Sequence, residues 1–460
     1  MRLDVLVAEI GSTTTLVNGF TNLAGDDPVF CAQGQAPTSV LDGDVRTGLE
    51  AAIKDLCCKQ GFSSLEYDEM FATSSAAGGL RMTVHGLVHD MTARAAKEAA
   101  LGAGAIIHKI SCGPFRPSDI EEIKAIEPNI ILISGGVDHG ERETALTNAK
   151  IVRDLELKAH GLPVPVIYAG NADNQAEVKA LFDESSVPLY VVENVYPKID
   201  ELNVEPARKV IQAVFEKHIV QAPGMEHIKE LVSGAIIPTP GAVMEITRLL
   251  AAELGGIITL DVGGATTDVH SVTRASEEIE RILVRPEPYA KRTVEGDLGV
   301  YINADKLIEY ADIEKLETEL GFPVDEVKRN YRFIPVSEQE IQFVQRLTKE
   351  AVLRAIERHA GYIRHIYGPS GRSSIAEGKD LSEVKYIIGT GGALTRLPDR
   401  IKIMEQITKH NKTGLMLIPP PNARILVDND YVMASLGVLS IKYPKAALKL
   451  VKKSLRVTDI

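Results

Sequence analysis

The chain has 460 residues, of which 45% are hydrophobic and 25% charged, and its formal net charge is −12. That length exceeds what one hydrophobic core normally organises, so two or three domains are expected. The acidic balance argues against nucleic-acid binding through a broadly positive surface. No apolar stretch approaches the ~18 residues that span a membrane, and the first residues lack the features of a signal peptide, so no membrane partner is expected.

The four cysteines, Cys31, Cys57, Cys58 and Cys112, have no spacing typical of a metal site or of a disulfide framework. We therefore expect a reduced, cytoplasmic chain. A homo-oligomer is left open, because nothing in the sequence decides it.

Strand patterns open the chain. Residues 3–11, 12–22 and 28–37 are rich in β-branched residues, and a helical spacing follows over residues 42–59. Short apolar runs at 130–136, 165–171 and 188–194 then alternate with helical patterns at 142–158 and 174–183. This alternation predicts a parallel sheet covered by helices, with ligands favoured at the loops that follow its strands.

A Pro/Gly-rich segment, "GAIIPTPGAV" (234–243), reads as a loop and predicts a hinge near residues 238–241. The helical spacing of Val243, Ile246, Leu250 and Leu254 follows it and ends at Gly255-Gly256. The run "IITLDVGG" (257–264) and its partner "TTDVHSV" (266–272) then predict two strands joined by a glycine turn.

The stretch "TLDVGGATTDV" (259–269) repeats the beginning of the chain, where "VAEIGSTTTLV" (7–17) has the same pattern. In each copy an acid, Glu9 or Asp261, is followed directly by an apolar residue and then by a glycine. A single glycine hairpin would be interpreted as a turn, but two copies with matched acids indicate an internal duplication with a shared function.

The chemistry that suits this unit is phosphate binding. Glycine lets backbone N–H groups approach phosphate oxygens, threonine and serine add hydroxyl donors, and a carboxylate at a strand end suits Mg²⁺. The phosphate-binding candidates are Gly11, Ser12, Thr13 and Thr14 in the first hairpin, and Gly263, Gly264, Ala265, Thr266 and Thr267 in the second. Asp261 and Glu9 are the candidate metal ligands. Two such hairpins would hold a triphosphate from both sides.

A third element is expected to hold the base and ribose. The segment "VKYIIGTGGALTRLP" (384–398) has a strand followed by Gly389, Gly391, Gly392 and Ala393 at the start of a helical stretch. Near the C-terminus, residues 427–440 predict a helix carrying Asp430, Ala434 and Gly437, whose small residues favour close packing.

The order of these elements resembles the superfamily of actin, sugar kinases and heat-shock-chaperone ATPases. Within it, blocks spread over nearly the whole chain resemble the glutamate mutase-associated MutL family, which is unrelated to the mismatch-repair protein of the same name. These blocks are "SSAAGGLRM" (74–82), "SGGVDHG" (134–140), "YAGNA" (168–172), "ENVYP" (193–197), "LNVEPAR" (202–208), "PTPGAV", "DVGGATTDVHSV", "VEGDLG" (294–299) and "DNDYVMASLG".

The resemblance implies an α/β, actin-like (ribonuclease H-like) ATPase fold with two lobes, duplicated phosphate-binding hairpins and an added βα-repeat region. It implies lobes at 1–112 and 236–460, with the βα repeats at 113–235 completing or inserted in the first lobe. It also implies a chaperone-like factor that uses ATP and Mg²⁺, by slow hydrolysis, to help an adenosylcobalamin-dependent mutase release damaged cobalamin.

The resemblance assigns roles residue by residue. Asp261 matches the usual acid of the second hairpin, whereas Glu9 stands where the first hairpin usually has Asp. Asp268 follows in the returning strand, on a face that the sequence does not define. The segment "VEGDLG" offers Glu295 and Asp297 as further catalytic acids, with Gly296 as a residue close to the ligand; a polar turn is nearly as good an interpretation.

Other interpretations stay open at this point. A small-molecule kinase or an ATP-dependent amide-ring hydrolase of the same superfamily is the main alternative, and an actin-like filament protein is another. An electron-passing activator would need cysteine ligands for an iron–sulfur cluster, which the cysteine spacing does not support. His85 and His89 are expected to be solvated polar side chains. The basic, amphipathic segment 442–456 is an ordinary C-terminal helix or a docking element.

Overall fold

The computed structural model describes residues 1–11, 14–40, 43–75, 80–159, 161–219, 224–225, 227–234, 236–368, 371–411 and 413–457. The chain divides into two compact units. The first comprises Met1–Glu245 and Ala434–Leu450, and the second comprises Ile246–Met433 and Val451–Ile460. The division into 1–112, 113–235 and 236–460 stays a prediction.

The first half of the chain contains, in order, β1 (Arg2–Ile10), β2 (Thr14–Thr21), β3 (Val29–Pro37), α1 (Val45–Gln60), β4 (Glu66–Ser74), β5 (Leu80–Gly86), α2 (Arg94–Gly102), β6 (Ala105–Cys112), α3 (Pro117–Ile126), β7 (Ile130–Ile133), α4 (Glu143–Leu155), β8 (Lys158–Ala159), β9 (Leu162–Pro163), β10 (Val166–Tyr168), α5 (Gln175–Phe182), β11 (Leu189–Val191), α6 (Glu205–Ile219), α7 (Ile228–Leu231), β12 (Ile236–Pro238) and α8 (Thr239–Leu254).

The second half contains β13 (Ile257–Val262), β14 (Thr267–Val272), α9 (Glu277–Glu280), β15 (Ala290–Glu295), α10 (Ala304–Ala311), α11 (Ile313–Leu320), α12 (Val324–Lys328), α13 (Glu338–His359), β16 (Tyr362–Gly368), β17 (Gly371–Glu377), β18 (Tyr386–Thr390), α14 (Gly391–Arg396), α15 (Arg400–Glu405), β19 (Arg424–Val427), α16 (Met433–Leu439) and α17 (Pro444–Ser454).

The main sheet of the first unit has five strands in the order β12-β4-β1-β2-β3. Strands β1, β2 and β3 form an antiparallel meander, while β4 and β12 add in parallel on the other side of β1. Strand β1 is buried along almost its whole length, which explains its unbroken apolar sequence: a central strand is covered on both faces.

The main sheet of the second unit has the order β15-β14-β13-β18-β19. Here β13, β14 and β15 form the antiparallel meander, and β18 and β19 add in parallel beside β13. The two sheets therefore share strand order and strand direction, which confirms the duplication and the actin-like fold that the sequence predicts.

A second sheet in the first unit has the order β11-β10-β7-β5-β6, and all its pairings are parallel. Helices α4 and α5 lie between its strands along the chain, close to the helical patterns expected at 142–158 and 174–183. The predicted parallel βα region is thus confirmed. Because the main sheet resumes with β12, this second sheet is inserted between β4 and β12, and it includes β5 and β6.

The predicted Pro/Gly loop at 234–243 is wrong. Residues 236–238 form β12, which pairs with β4, and α8 begins at Thr239. Pro240 lies in the first helical turn, where a backbone N–H is not needed, so it starts the helix instead of breaking it. Gly241 packs tightly, since an added Cβ would lie 2.8 Å from the backbone oxygen of Ala103.

Two smaller expectations also differ from the structure. Asp430 precedes α16 in a turn instead of lying on the helix, and the helix carries Gly437 against the backbone of Ala242, as close packing requires. His85 is not solvated: it is fully buried in β5, where Ser111 and Thr83 hydroxyls lie 2.7 and 2.9 Å from its ring nitrogens. His89 is exposed, as expected. Over the described part of the chain, no helix is long and apolar enough to cross a bilayer.

Candidate functional site

The second hairpin joins β13 to β14 and sets two acids side by side. Asp261 is paired in register with Asp268, and the hairpin is closed by the N–H of Gly263, which donates to the carbonyl of Thr266 at 2.9 Å. The odd spacing of these acids left their faces undefined in the sequence. The register of the two strands places both carboxylates on the same face of the sheet.

Every carbonyl of the turn 263–266 already has a donor. Val300 donates to Gly263 O, Tyr301 and Ile302 donate to Gly264 O, and the Asn303 side-chain amide donates to Ala265 O at 2.7 Å. By contrast, no described residue accepts from the N–H groups of residues 264–266. The turn therefore offers donors and no acceptors, which is the polarity that an anion needs.

Asp261 is partly exposed, and within the described residues no group donates a hydrogen bond to it. The pKa of Asp261 is raised to about 7, chiefly by burial and also by the Asp268 charge, while Arg292 opposes both effects. A partly buried carboxylate that lacks a hydrogen-bond donor is stabilised by a cation, so its position fits a ligand of Mg²⁺.

Asp268 differs from Asp261 because its charge is compensated. Arg292, which is 1% exposed, donates to Asp268 Oδ1 at 2.8 Å, and the Thr266 hydroxyl lies 3.4 Å from Oδ2. The ion pair fixes the Asp268 carboxylate and links it to the turn. Arg292 was not anticipated from the sequence, because a lone arginine in a strand pattern carries no signal of its buried partner.

The glycines of this region are required for packing as much as for ligand access. A Cβ on Gly264 would lie 2.8 Å from the Phe333 ring, and one on Gly299 would lie 2.3 Å from the backbone of Ala265. The turn is thus held between residues 296–303 and an aromatic side chain, which sequence reasoning had not included.

The third predicted element begins directly beside Asp261. Strand β18 pairs Thr390 with Asp261, and Gly391 follows with a φ of +80°. A Cβ on Gly391 would lie 2.4 Å from Asp261 Oδ1, whereas one on Gly392 would meet nothing within 4 Å. Gly389 faces Met404 instead, with a Cβ position 2.7 Å from its sulfur, and Ala393 is buried. The assignment of these residues to base and ribose stays a prediction.

Thr390 connects the site to Asp428, a fully buried acid that the sequence reasoning passed over in favour of Asp430. Asp428 accepts from the Thr390 and Ser454 hydroxyls and from backbone N–H groups at the start of α16. Burial raises the pKa of Asp428, and these hydrogen bonds oppose the effect. Its contacts make it a support for the end of β18.

Glu295, the last residue of β15, and Asp297, in the segment that follows it, share one arginine. Arg358 of α13 contacts Glu295 at 2.6 Å and both oxygens of Asp297 at 2.7 and 2.9 Å. These bonds lower the pKa of Asp297 to about 2, while burial raises the pKa of Glu295. Gly296 lies between them, and a Cβ there would meet nothing within 4 Å. A catalytic role for either acid stays a prediction.

The first hairpin repeats the closing geometry of the second. Gly11 N–H donates to Thr14 O at 2.9 Å, and Glu9 is paired in register with Leu16, which stands where the second hairpin has Asp268. Glu9 is buried, and Thr14 begins β2. The predicted phosphate contacts at Ser12 and Thr13 lie outside the described residues. The first hairpin thus has one acid where the second has two.

No cluster of three or more His, Cys, Asp or Glu side chains suited to a metal ion occurs among the residues that the structure describes. The donor set at the second hairpin still fits Mg²⁺, because this ion is usually held by one or two carboxylates together with phosphates and waters.

Comparison with known proteins gives a family match over nearly the whole chain. The model of the MutL protein family matches residues 5–455. Protein MutL of Clostridium tetanomorphum is 36% identical over 432 residues, which is 91% of this chain and 92% of that protein.

Solved structures resemble the chain more distantly. A diol dehydratase-reactivating factor in nucleotide-free form matches with a TM-score of 0.39 and 9% identity, over 96% of this chain and 100% of that one. A nucleotide-free acetone carboxylase matches with a TM-score of 0.39 and 12% identity, over 95% and 70%. Likeness at this level carries no argument about activity.

Proposed function

Since this chain belongs to the MutL family, we propose that it is a cytoplasmic, ATP-dependent reactivating factor for an adenosylcobalamin-dependent mutase of the glutamate mutase or aminomutase type. In this proposal it binds Mg-ATP, hydrolyses it slowly and uses the cycle to promote release of damaged cobalamin from the mutase.

The observation that carries the nucleotide part is the polarity of the turn at residues 263–266. All of its carbonyls already accept hydrogen bonds, whereas in the described part of the chain the N–H groups of residues 264–266 have no acceptor. Such a turn binds an anion without rearranging its own hydrogen bonds, so a phosphate group can enter at little cost.

Asp261 and Asp268, at the paired ends of β13 and β14, have different roles in this proposal. Asp261 has a free carboxylate that would hold Mg²⁺ with its water shell, and the ion would neutralise phosphate charge when bound. Asp268, fixed by Arg292, would accept a hydrogen bond from a water and orient it. Glu9 is proposed as the corresponding acid of the first hairpin; its longer side chain and the Leu16 neighbour favour contact through water.

The same turn can report the state of the nucleotide to the rest of its unit. Its carbonyls are bonded to residues 300–303, and the Phe333 ring lies against Gly264. A phosphate on the N–H side would order the turn, and its loss after hydrolysis would release that order. Slow hydrolysis suits this role, because a chaperone needs a long-lived bound state more than a high rate.

The mutase part of the proposal is supported by family membership and by the blocks spread over the chain. It is tested with purified glutamate mutase inactivated by an inert cobalamin. The full chain with ATP and Mg²⁺ should restore turnover when fresh adenosylcobalamin is added, and should fail without either. Phosphate should appear without a phosphorylated metabolite, which separates a reactivating factor from a kinase.

Asp261→Asn should abolish reactivation and Mg-dependent ATP hydrolysis. The matched control is Asp68→Asn, which removes a carboxylate from an exposed pair with Arg2 at the far end of a strand in the other unit. Reactivation that survives Asp261→Asn, or that proceeds without nucleotide, would overturn the proposal.

A further inference from the structure

The hairpin formed by β16 and β17, residues 362–368 and 371–377, has no part in the nucleotide site and is here named the arm. Its strands pair in register from Tyr362–Glu377 to Gly368–Gly371. Its base is well anchored: Ile363 N–H donates to Leu415 O, Ala376 N–H donates to Ile282 O, and Ile363 and Ala376 join a small apolar cluster.

Beyond this base the arm extends into solvent. The hydrogen bonds that the structure describes for residues 364–367 and 372–374 all stay within the arm. A two-stranded hairpin is only marginally stable by itself in water, so a protruding one normally has a further reason to be retained.

The exposed part of the arm is apolar and aromatic. Tyr367 is 77% exposed, and Ile366 beside it is 44% exposed. As consecutive residues of a strand they point to opposite faces of the arm, so its outer part exposes a large apolar side chain on each face, which is typical of a segment that inserts between the surfaces of a partner.

The charge of the arm is opposite to that of the chain. Its described residues include Arg364 and Arg372 with Glu377 as the single acid, whereas the chain has a net charge of −12. Glu377 contacts Arg364 at 3.4 Å. Arg372 has no carboxylate partner among the described residues; its guanidinium donates to His365 Nε2, and the other ring nitrogen, Nδ1, lies 3.0 Å from the Ser374 hydroxyl.

Arg372 stands directly across from Tyr367 in the register, so a guanidinium that has no described carboxylate partner and an exposed aromatic ring share one face of the arm. Tyrosine and arginine are the residues most enriched where a few side chains dominate protein–protein binding. This pairing fits an apolar pocket rimmed by carboxylates.

We propose that the arm is the surface that docks the client enzyme, by inserting its outer part into an apolar cleft on an acidic face of that protein, with Tyr367 on one face of the arm and Ile366 on the other, while Arg372 pairs with a carboxylate at the rim of the cleft. The inference rests on the proposed function and names the partner surface for it. A second copy of this chain fits less well, since two bodies of strongly negative net charge repel. Nucleic acid is disfavoured as the partner, because the two arginines of the arm would neutralise only a few phosphates.

The test uses the full chain and purified glutamate mutase inactivated with cyanocobalamin, with affinity measured by surface-immobilised binding at low and high salt. Ile366→Ser with Tyr367→Ser should weaken binding by about 30-fold or more, as expected for truncated interface anchors. Arg372→Glu should weaken it about 10-fold and flatten the salt dependence, while Arg372→Lys should lose less.

The chain offers a matched control. Tyr289 lies outside the arm on the same unit, is 48% exposed and has the guanidinium of Arg274 5.9 Å from its ring centroid. Tyr289→Ser with Arg274→Glu should leave mutase binding unchanged. ATP binding should be unchanged in all variants, which shows that the second unit remains folded.

Each outcome has a defined meaning. Arm variants that bind the mutase as tightly as the wild type would overturn the docking assignment and leave the proposed function standing. A wild-type chain that does not bind the mutase would overturn the proposed function and the arm's partner together. Variants that lose only self-association, measured by analytical ultracentrifugation, would show that the arm binds a second copy and would also overturn the assignment.

Discussion

The two acids on neighbouring strands of the second hairpin should respond to neutralisation with opposite signs. Asp261 has no hydrogen-bond donor among the described residues, whereas Asp268 is paired with the buried Arg292. Replacing Asp261 with Asn should therefore stabilise the nucleotide-free protein above neutral pH, and replacing Asp268 with Asn should destabilise it.

The magnitude follows from the pKa of Asp261, which is raised from 3.8 to about 7, chiefly by burial. A pKa raised in the folded state means that folding favours the protonated form, so this contribution is fully present below pH 3.8 and is lost as pH rises through about 7. Each tenfold change in proton affinity corresponds to about 1.4 kcal/mol, which gives at most ~4 kcal/mol for ionised Asp261.

Asp261→Asn removes that cost, so it should stabilise the chain by roughly 2–4 kcal/mol at about pH 8 and have little effect at about pH 4. Asp268→Asn leaves Arg292 without its carboxylate and should cost about 3–5 kcal/mol. Urea unfolding followed by circular dichroism gives the stabilities. Hydrogen exchange of peptides from β13 and β14 assigns the transition to the second unit, since a chain with two units need not unfold in one step.

Two results would refute this reasoning. If Asp261→Asn destabilises the protein equally at both pH values, the ionised carboxylate is not costly and its environment is more polar than described. If Asp268→Asn is neutral, the buried pair with Arg292 does not support the strand end. Added Mg-ATP should stabilise the wild type and not Asp261→Asn, which links the stability measurement to ligand binding.

Three further results are expected. Gly391→Ala should weaken Mg-dependent ATP binding at least about tenfold, because the added Cβ would meet Asp261 Oδ1 and the φ of this residue is positive. Gly392→Ala should bind ATP normally, because the space around Gly392 is open. Equal losses of ATP affinity in the two variants would contradict the packing argument. Phe333→Trp introduces the sole tryptophan of the chain beside the turn, so its fluorescence should change on adding Mg-ATP, and a silent probe would show that phosphate does not reach the turn. Asn303→Ala removes the donor to Ala265 O and should cost about 1–2 kcal/mol of stability and weaken ATP binding; unfolding curves and titration calorimetry measure both, and an unchanged affinity would mean that the turn does not need this support.

The parts of the fold that sequence reasoning identified are those in which local pattern and final structure agree. Residues 7–17 and 259–269 carry the same short-range pattern, and strands β1 and β13, which contribute to these stretches, each lie at the centre of a sheet with the same topology. Helix α8 was recognisable from its apolar spacing and from Gly255, whose φ of +94° ends it as expected.

The structural features that sequence reasoning did not predict depend on contacts between residues that are distant along the chain. Strands β5 and β6 belong to the inserted sheet, although nothing local separates them from β4. Arg292 and Phe333 become part of the site only through pairing across strands and loops. The Pro/Gly segment that forms β12 has the composition of a loop, and only its pairing with β4 makes it a strand.

The insertion has a consequence for how the protein folds during synthesis. The strands of the parallel sheet lie together in residues 80–191, so that sheet can form as soon as this segment has left the ribosome. The main sheet of the first unit must wait, because β4 ends at Ser74 and its neighbour β12 begins at Ile236. Its unit is complete only when Ala434–Leu450 has been made. Strands β1, β2 and β3 have all their partners once β4 has been made, but β4 keeps one unpaired edge until β12 is translated, and during that delay this edge is the point most exposed to wrong association.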